Sequence, residues 1–216
     1  MKNDLTELVF ILDKSGSMSG LEGDTIGGFN SLIEKQRKED GKARVSTILF
    51  NHEVEVIHDR VDLEGIKPLT DKEYCVSGCT ALLDAIGNSI NHILKEHKNC
   101  KQEDVPSKTM FIITTDGLEN SSREYTYKSI KKMIENVKEK YEWEFIFLGA
   151  NMDAVSEASK MGIDSGNAVN YKYDAKGVSL NYDCLSTAIS EVRKNKKMSK
   201  SWRSAIDKDL ETRKDD

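Results

Sequence analysis

Long apolar runs are missing from this chain of 216 residues. None approaches the roughly 18 residues a helix needs to cross a membrane, so no membrane span is expected. Proline is nearly absent, with 2 residues, and glycine is limited to 14, which excludes a fibrous or low-complexity chain. Cysteine is sparse as well. Cys75, Cys79, Cys100 and Cys184 do not have the spacing of a disulfide framework. Cys75 and Cys79 have no matching second pair, and His52, His58, His92 and His97 add no zinc spacing, so reduced, structural thiols are expected. An excess of positive charge is also lacking. The 37 acidic and 32 basic residues leave a formal charge of −5 spread along the chain, which gives no footprint for nucleic acid. The N-terminal MKNDLTELVFILDKSGSM has no secretory pattern, because its apolar stretch is short, contains Thr6 and Glu7, and runs straight into a polar loop. A cytoplasmic protein is the expectation.

What is present is a polar globular composition, 38% hydrophobic and 32% charged, with enough length for one compact core. Short continuous aliphatic runs at Leu8–Leu12, Val45–Phe50, Thr109–Thr114 and Phe145–Leu148 read as buried strands. Amphipathic patterns at about 25–38, 81–97, 127–140 and 180–194 read as helices, with a shorter one at 154–161. Asn51-His52 marks a tight turn into an alternating segment at 54–59, an antiparallel hairpin. A last edge strand is expected at 168–171. Strands alternating with helices predict an α/β fold: a doubly wound, mostly parallel sheet with one antiparallel edge strand and helices on both faces. Residues 5–195 read as one domain and 196–216 as a charged C-terminal extension. Trp202, Ile206 and Leu210 hint at amphipathicity there, but the charge density favours a solvated, partly frayed tail. The run Lys194-Asn195-Lys196-Lys197 reads as a solvated helix end.

In open α/β sheets, ligands bind beyond the carboxyl ends of the strands, where strand order reverses. The first strand is followed by Asp13-Lys14-Ser15-Gly16-Ser17, and the strand at 109–114 by Thr115-Asp116-Gly117. The 81–97 helix is preceded by Gly78-Cys79-Thr80. If these loops meet at one edge, Asp13, Ser15, Ser17, Thr80 and Asp116 form an all-oxygen set of the kind hard cations such as magnesium prefer. Two carboxylates roughly balance a divalent charge, and neutral hydroxyls leave the ion attractive to a carboxylate from outside. Each piece also has an ordinary explanation. Asp and Ser stabilise turns, Thr80 could cap the helix after it, and Asp116-Gly117 is a common turn. Glu119 and Asn120 read as exposed loop residues able to shape the rim, and Lys14 as a solvated charge or one able to favour acidic ligands. Cys79 reads as a small packed side chain.

Asp13-Lys14-Ser15-Gly16-Ser17-Met18, Ser77 through Ile86, and Ile112-Ile113-Thr114-Thr115-Asp116-Gly117 together resemble, in order and spacing, the three metal motifs of von Willebrand factor type A (vWA) domains. The resemblance covers residues about 5 to 195. It is closer to the compact intracellular members found in bacteria and phages than to the extracellular ones. It implies a metal-ion-dependent adhesion site, with Ser15 and Ser17 ligating through their hydroxyls. Thr80, Asp13 and Asp116 would act directly or through water. The cofactor would be Mg2+, with Mn2+ as substitute, and a partner Glu or Asp would complete the site. A metal-dependent protein-binding module, not an enzyme, is therefore expected. An AAA+ ATPase or a stress-response system is the partner class the resemblance suggests.

Two alternatives stand beside it. A phosphatase of haloacid dehalogenase type also places an aspartate after its first strand, but needs a second one two positions on, where this chain has Ser15. A scaffold that has lost its metal would tolerate replacement of any of the five residues.

Overall fold

The computed structural model describes residues 4–194 and 198–213. Six strands form one sheet: β1 (Thr6–Asp13), β2 (Ala43–Phe50), β3 (Val54–Asp62), β4 (Lys108–Thr115), β5 (Glu144–Gly149) and β6 (Ala168–Asn170). Their order is β3-β2-β1-β4-β5-β6. All neighbours are parallel except β2 and β3, which form the expected antiparallel hairpin. The helices are α1 (Glu22–Arg37), α2 (Leu82–Asn99), α3 (Tyr127–Tyr141), α4 (Ala154–Lys160), α5 (Ala175–Arg193) and α6 (Ser204–Thr212).

The continuous apolar runs become strands because each must be covered on both faces. Leu8, Phe10 and Leu12 of β1 point into one core with Met110, Ile112, Ile146 and Leu148, against Phe29, Leu32 and Ile33 of α1 and Leu185, Ala188 and Ile189 of α5. Val9 and Ile11 point the other way, with Phe111, Ile113, Phe145 and Phe147, against α2, α3 and α4. Helices α1 and α5 pack closely because Gly28 lets the ring of Tyr182 lie directly on the α1 backbone, so any side chain at 28 would overlap it.

Two expectations are corrected. Helix α5 begins at Ala175, five residues before Leu180, because the Asp174 side chain accepts the Gly177 N–H at 2.7 Å and caps it. The end of the chain is not a solvated tail over its described part. Residues 200–203 form a helical turn leading into α6, and Trp202 and Ile206 are buried in the α1/α5 core, 5% and 2% exposed. The Trp202 indole donates to the Gly166 carbonyl at 3.0 Å. Of the basic run at 194–197, Lys194 pairs with Glu39 at 2.6 Å, and Asn195, Lys196 and Lys197 lie outside the described residues.

The connections set where a site can form. From β1 the chain moves to β2 on one side, and β4 lies on the other. The reversal therefore falls between β1 and β4, whose carboxyl ends carry Asp13 and Thr115-Asp116.

Candidate metal centre

Three loops and the β2–β3 turn are laced together at this edge by backbone hydrogen bonds. Gly16 N–H donates to the Gly78 carbonyl at 3.1 Å, and Ser77 N–H to the Lys14 carbonyl at 2.9 Å. Asn120 N–H reaches the Thr80 carbonyl at 3.1 Å, and Ala81 N–H the Asn51 carbonyl at 2.7 Å. The first loop turns through a short helical segment, Gly16–Met18. Beneath it, the Tyr74 hydroxyl donates to the Asp13 carbonyl.

Side chains converge accordingly. Asp13 accepts Ser15 N–H at 2.7 Å on Oδ1 and the Thr115 hydroxyl at 2.5 Å on Oδ2. The Ser17 hydroxyl donates to Asp116 Oδ1 at 2.6 Å, and Ser15 Oγ lies 3.1 Å from Ser17 Oγ. Thr80 completes the group. The point where a Cβ on Gly117 would stand is 3.0 Å from Thr80 Oγ1, 3.2 Å from Ser17 Oγ and 3.9 Å from Ser15 Oγ. All five residues singled out from the sequence thus meet in one cluster, and glycine at 117 keeps the space between its hydroxyls open.

The electrostatics are unusual for a protein interior. Asp13 is 1% exposed and Asp116 4%. Burial pushes the Asp13 carboxyl up to about 6, against the hydrogen bonds from Thr115 and Ser15. Burial also raises Asp116, against its bond from Ser17. Asp116 Oδ2 is buried without a hydrogen-bond partner. Among the described residues, neither carboxylate forms an ion pair. Lys14 does not serve this purpose, because its ammonium is held by Glu55 at 2.6 Å; the sequence reading of Lys14 as a solvated or ligand-facing charge is corrected. Buried carboxylates are ordinarily paired or bound to a metal. Two of them beside three hydroxyls make an oxygen donor set that fits a hard divalent cation. No group of three or more His, Cys, Asp or Glu side chains converges among the described residues, so the hydroxyls are an essential part of any such set.

Thr80 does not cap α2. The residue before that helix is Ala81, without a side-chain cap, and the first-turn N–H groups are served from the Asp116 loop. Leu83 N–H donates to Glu119 Oε2 at 2.9 Å and Asp84 N–H to Ser122 Oγ at 3.0 Å. Glu119 also accepts the N–H groups of Ser121 and Ser122, each at 2.8 Å, and Asn120 Oδ1 accepts Thr80 N–H at 2.9 Å. Asp84 returns the favour by accepting the N–H groups of Arg123, Glu124 and Tyr125. Glu119, Asn120 and Asp84 are thus anchors that free the Thr80 hydroxyl, a role sequence reasoning missed. An acidic side chain satisfying a helix N-terminus is familiar chemistry, but here it comes from 36 residues downstream. Cys79 is exposed, which corrects its reading as a packed side chain.

A six-stranded doubly wound sheet, with two buried carboxylates and three hydroxyls at its switch point, defines an α/β domain with an oxygen-rich cluster at its ligand edge. The model of the von Willebrand factor type A domain matches residues 7–181, and the chain belongs to that family. No curated protein matches it. Among solved structures it is similar to proximal thread matrix protein 1 from the mussel byssus, in a form with a zinc-occupied MIDAS motif: TM-score 0.60, 13% identity, 88% of this chain and 47% of that one. It is also similar to the vWF domain of the type V pili tip protein Mfa5 from Porphyromonas gingivalis, with TM-score 0.62, 10% identity, 85% of this chain and 94% of that one. A third is the ArnB paralog VWA2 from Sulfolobus acidocaldarius, with TM-score 0.54, 18% identity, 88% of this chain and 45% of that one. At such identities the likeness is one of fold. The chain spans about half the length of the mussel and Sulfolobus proteins.

Proposed function

We propose that this chain is a cation-dependent protein-binding module. Its cation is Mg2+, with Mn2+ able to substitute, held by the hydroxyls of Ser15, Ser17 and Thr80 and the carboxylates of Asp13 and Asp116. The group captured is an acidic side chain of a partner protein. The observation that carries this reading is the pair of buried carboxylates with no cationic side chain among the described residues to neutralise them. A bound divalent ion supplies the missing positive charge and an electrophilic point for a foreign carboxylate. The protein supplies placement. Asp13 is fixed by Ser15 N–H and Thr115, Ser17 is aligned on Asp116, and the Glu119 and Asn120 anchors hold Thr80.

The reading assigns no catalytic residue. A phosphatase of haloacid dehalogenase type is disfavoured, because the position two beyond Asp13 is Ser15, whose hydroxyl contacts Ser17. We take residues 5–195 as the module and the segment from 196 as an accessory. By resemblance, the module is a cytoplasmic one of the compact bacterial or phage type, with an AAA+ ATPase or stress-response component as partner. Among the described residues no helix is long and apolar enough to cross a membrane.

The test is a calorimetric titration of the metal-stripped protein with Mg2+ and Mn2+, beside a Ser15→Ala/Ser17→Ala variant. Binding by the wild type alone supports the reading, and partner capture should then be lost in EDTA. Equal behaviour of wild type and variant refutes it.

A further inference from the structure

Tyr173 stands in the connection between β6 and α5, far in sequence from the cation loop. Its hydroxyl lies 2.5 Å from the Ser17 carbonyl oxygen and 3.1 Å from that of Ser19, so its one proton is shared between the two acceptors. One phenol therefore spans the end of the Gly16–Met18 turn, at the residue whose side chain contacts Asp116.

The residues on either side of Tyr173 are gripped by the last helix. Lys172 Nζ donates to the Arg213 carbonyl at 2.6 Å. The Arg213 guanidinium pairs with Asp174 and with Asp209, and Asp209 is also held by Lys176 at 2.6 Å. Asp174 is the residue that caps α5. Helix α6 and Arg213 lie beyond residue 181, where the family match ends. An uninterrupted series of contacts thus runs from α6 through residues 172–174 to the turn that carries Ser17.

We propose that Tyr173 is a positioning residue for the cation loop, and that α6 sets its position through Arg213 and Lys172. This rests on the cation-binding reading above. The physical argument is one of restraint. Ser17 and Ser19 are exposed, so water can satisfy their carbonyls if the phenol is lost, and the fold loses little. Water does not fix the orientation of the turn, and orientation decides whether Ser17 Oγ stays aligned on the site. Groups that orient ligands in this way typically affect metal affinity by about 10-fold or more.

The experiment is Mn2+ titration calorimetry of the full, metal-stripped chain, with thermal unfolding in EDTA alongside. Tyr173→Phe should weaken Mn2+ binding by about 10-fold while the unfolding midpoint of the metal-free protein stays unchanged. Arg213→Ala should weaken binding to a smaller extent. The double variant should bind as Tyr173→Phe does, because Arg213 acts through Tyr173. Wild-type affinity in Tyr173→Phe, or full additivity in the double variant, overturns the inference alone. A wild-type chain that binds no Mn2+ overturns the cation-binding reading and this inference with it.

Discussion

Replacing Asp13 with asparagine should stabilise the metal-free protein. The Asp13 carboxyl rises from 3.8 in a model peptide to about 6 in the folded chain, chiefly through burial. Native protein therefore keeps a proton that the unfolded chain releases between those two values. Across that window the native state binds more protons, so stability falls as pH rises, and above it the whole penalty is present. From the two values the penalty is roughly 3 kcal/mol at pH 7.5, dropping to about 1 kcal/mol at pH 4.5. Asparagine removes the charge and keeps the contacts. Its carbonyl accepts Ser15 N–H, and its N–H faces Thr115 Oγ1, which can donate instead to the Gly117 carbonyl 3.0 Å away. The expected gain is about 2 kcal/mol, or about 4–8 °C in the unfolding midpoint for a chain of this length. The assay is thermal unfolding in EDTA at pH 7.5 and 4.5, then with saturating Mg2+. Wild type should trail the variant in EDTA at pH 7.5, nearly match it at pH 4.5, and gain stability with Mg2+ where the variant does not. A variant no more stable than wild type in EDTA at pH 7.5 would show that Asp13 bears no uncompensated charge, and the argument for a cation would lose its basis.

Gly117→Ala places a methyl group 3.0 Å from Thr80 Oγ1 and 3.2 Å from Ser17 Oγ, so Mn2+ affinity should fall at least about 10-fold in calorimetry, as for other disturbed metal sites. His58 is buried, with its Nδ1 3.0 Å from Thr47 Oγ1, and burial holds its pKa below 6.5. The unfolded chain takes up this proton first as pH falls below 6.5, so stability declines on acidification there; His58→Gln should remove that part of the slope in urea unfolding followed against pH. Trp202→Ala should lower stability by about 3 kcal/mol, the usual cost of emptying a buried tryptophan site. An unchanged urea midpoint would mean that the C-terminal segment does not pack as described.

What could be read from the sequence was local. Runs such as Leu8–Leu12 and Phe145–Leu148 carry their burial in their composition, because a parallel strand between two helix layers has no polar side. The loops of the candidate site were legible for the same reason: Asp13, Ser15 and Ser17 fall within five residues, and Asp116 directly follows a strand. What escaped was what distant residues do to these pieces. Thr80 reads as a helix cap until Glu119 and Ser122 are seen to take that work. The C-terminal segment reads as solvated because its few apolar residues are diluted by charge. In the fold, those charges are spent on neighbours, Arg203 on Asp207 and Arg213 on Asp209, while Trp202 and Ile206 turn inward. Tyr173 carries no local signal at all, since its partners at Ser17 and Ser19 are more than 150 residues away.

These distant contributions share a direction. Glu119, Asn120 and Tyr173 supply hydrogen bonds to backbone groups around the site while adding no positive charge next to the two aspartates. Lys14, the nearest basic side chain in sequence, is drawn away to Glu55. Had it paired with Asp13, one of the two buried carboxylates would be neutralised and the demand for a divalent cation halved. The interior therefore tolerates a carboxyl displaced to about 6 and an unpartnered Asp116 oxygen at a place where an ordinary core would have neutralised both. A buried pair of carboxylates without a counter-charge is what a cation site requires, because only an interaction the protein leaves unmade can be supplied by something else. With three of the five groups being neutral hydroxyls, a divalent ion placed there would be balanced but not oversupplied with negative charge. It would keep its attraction for one more carboxylate, and that remaining attraction is the basis for assigning this edge of the sheet to a partner protein.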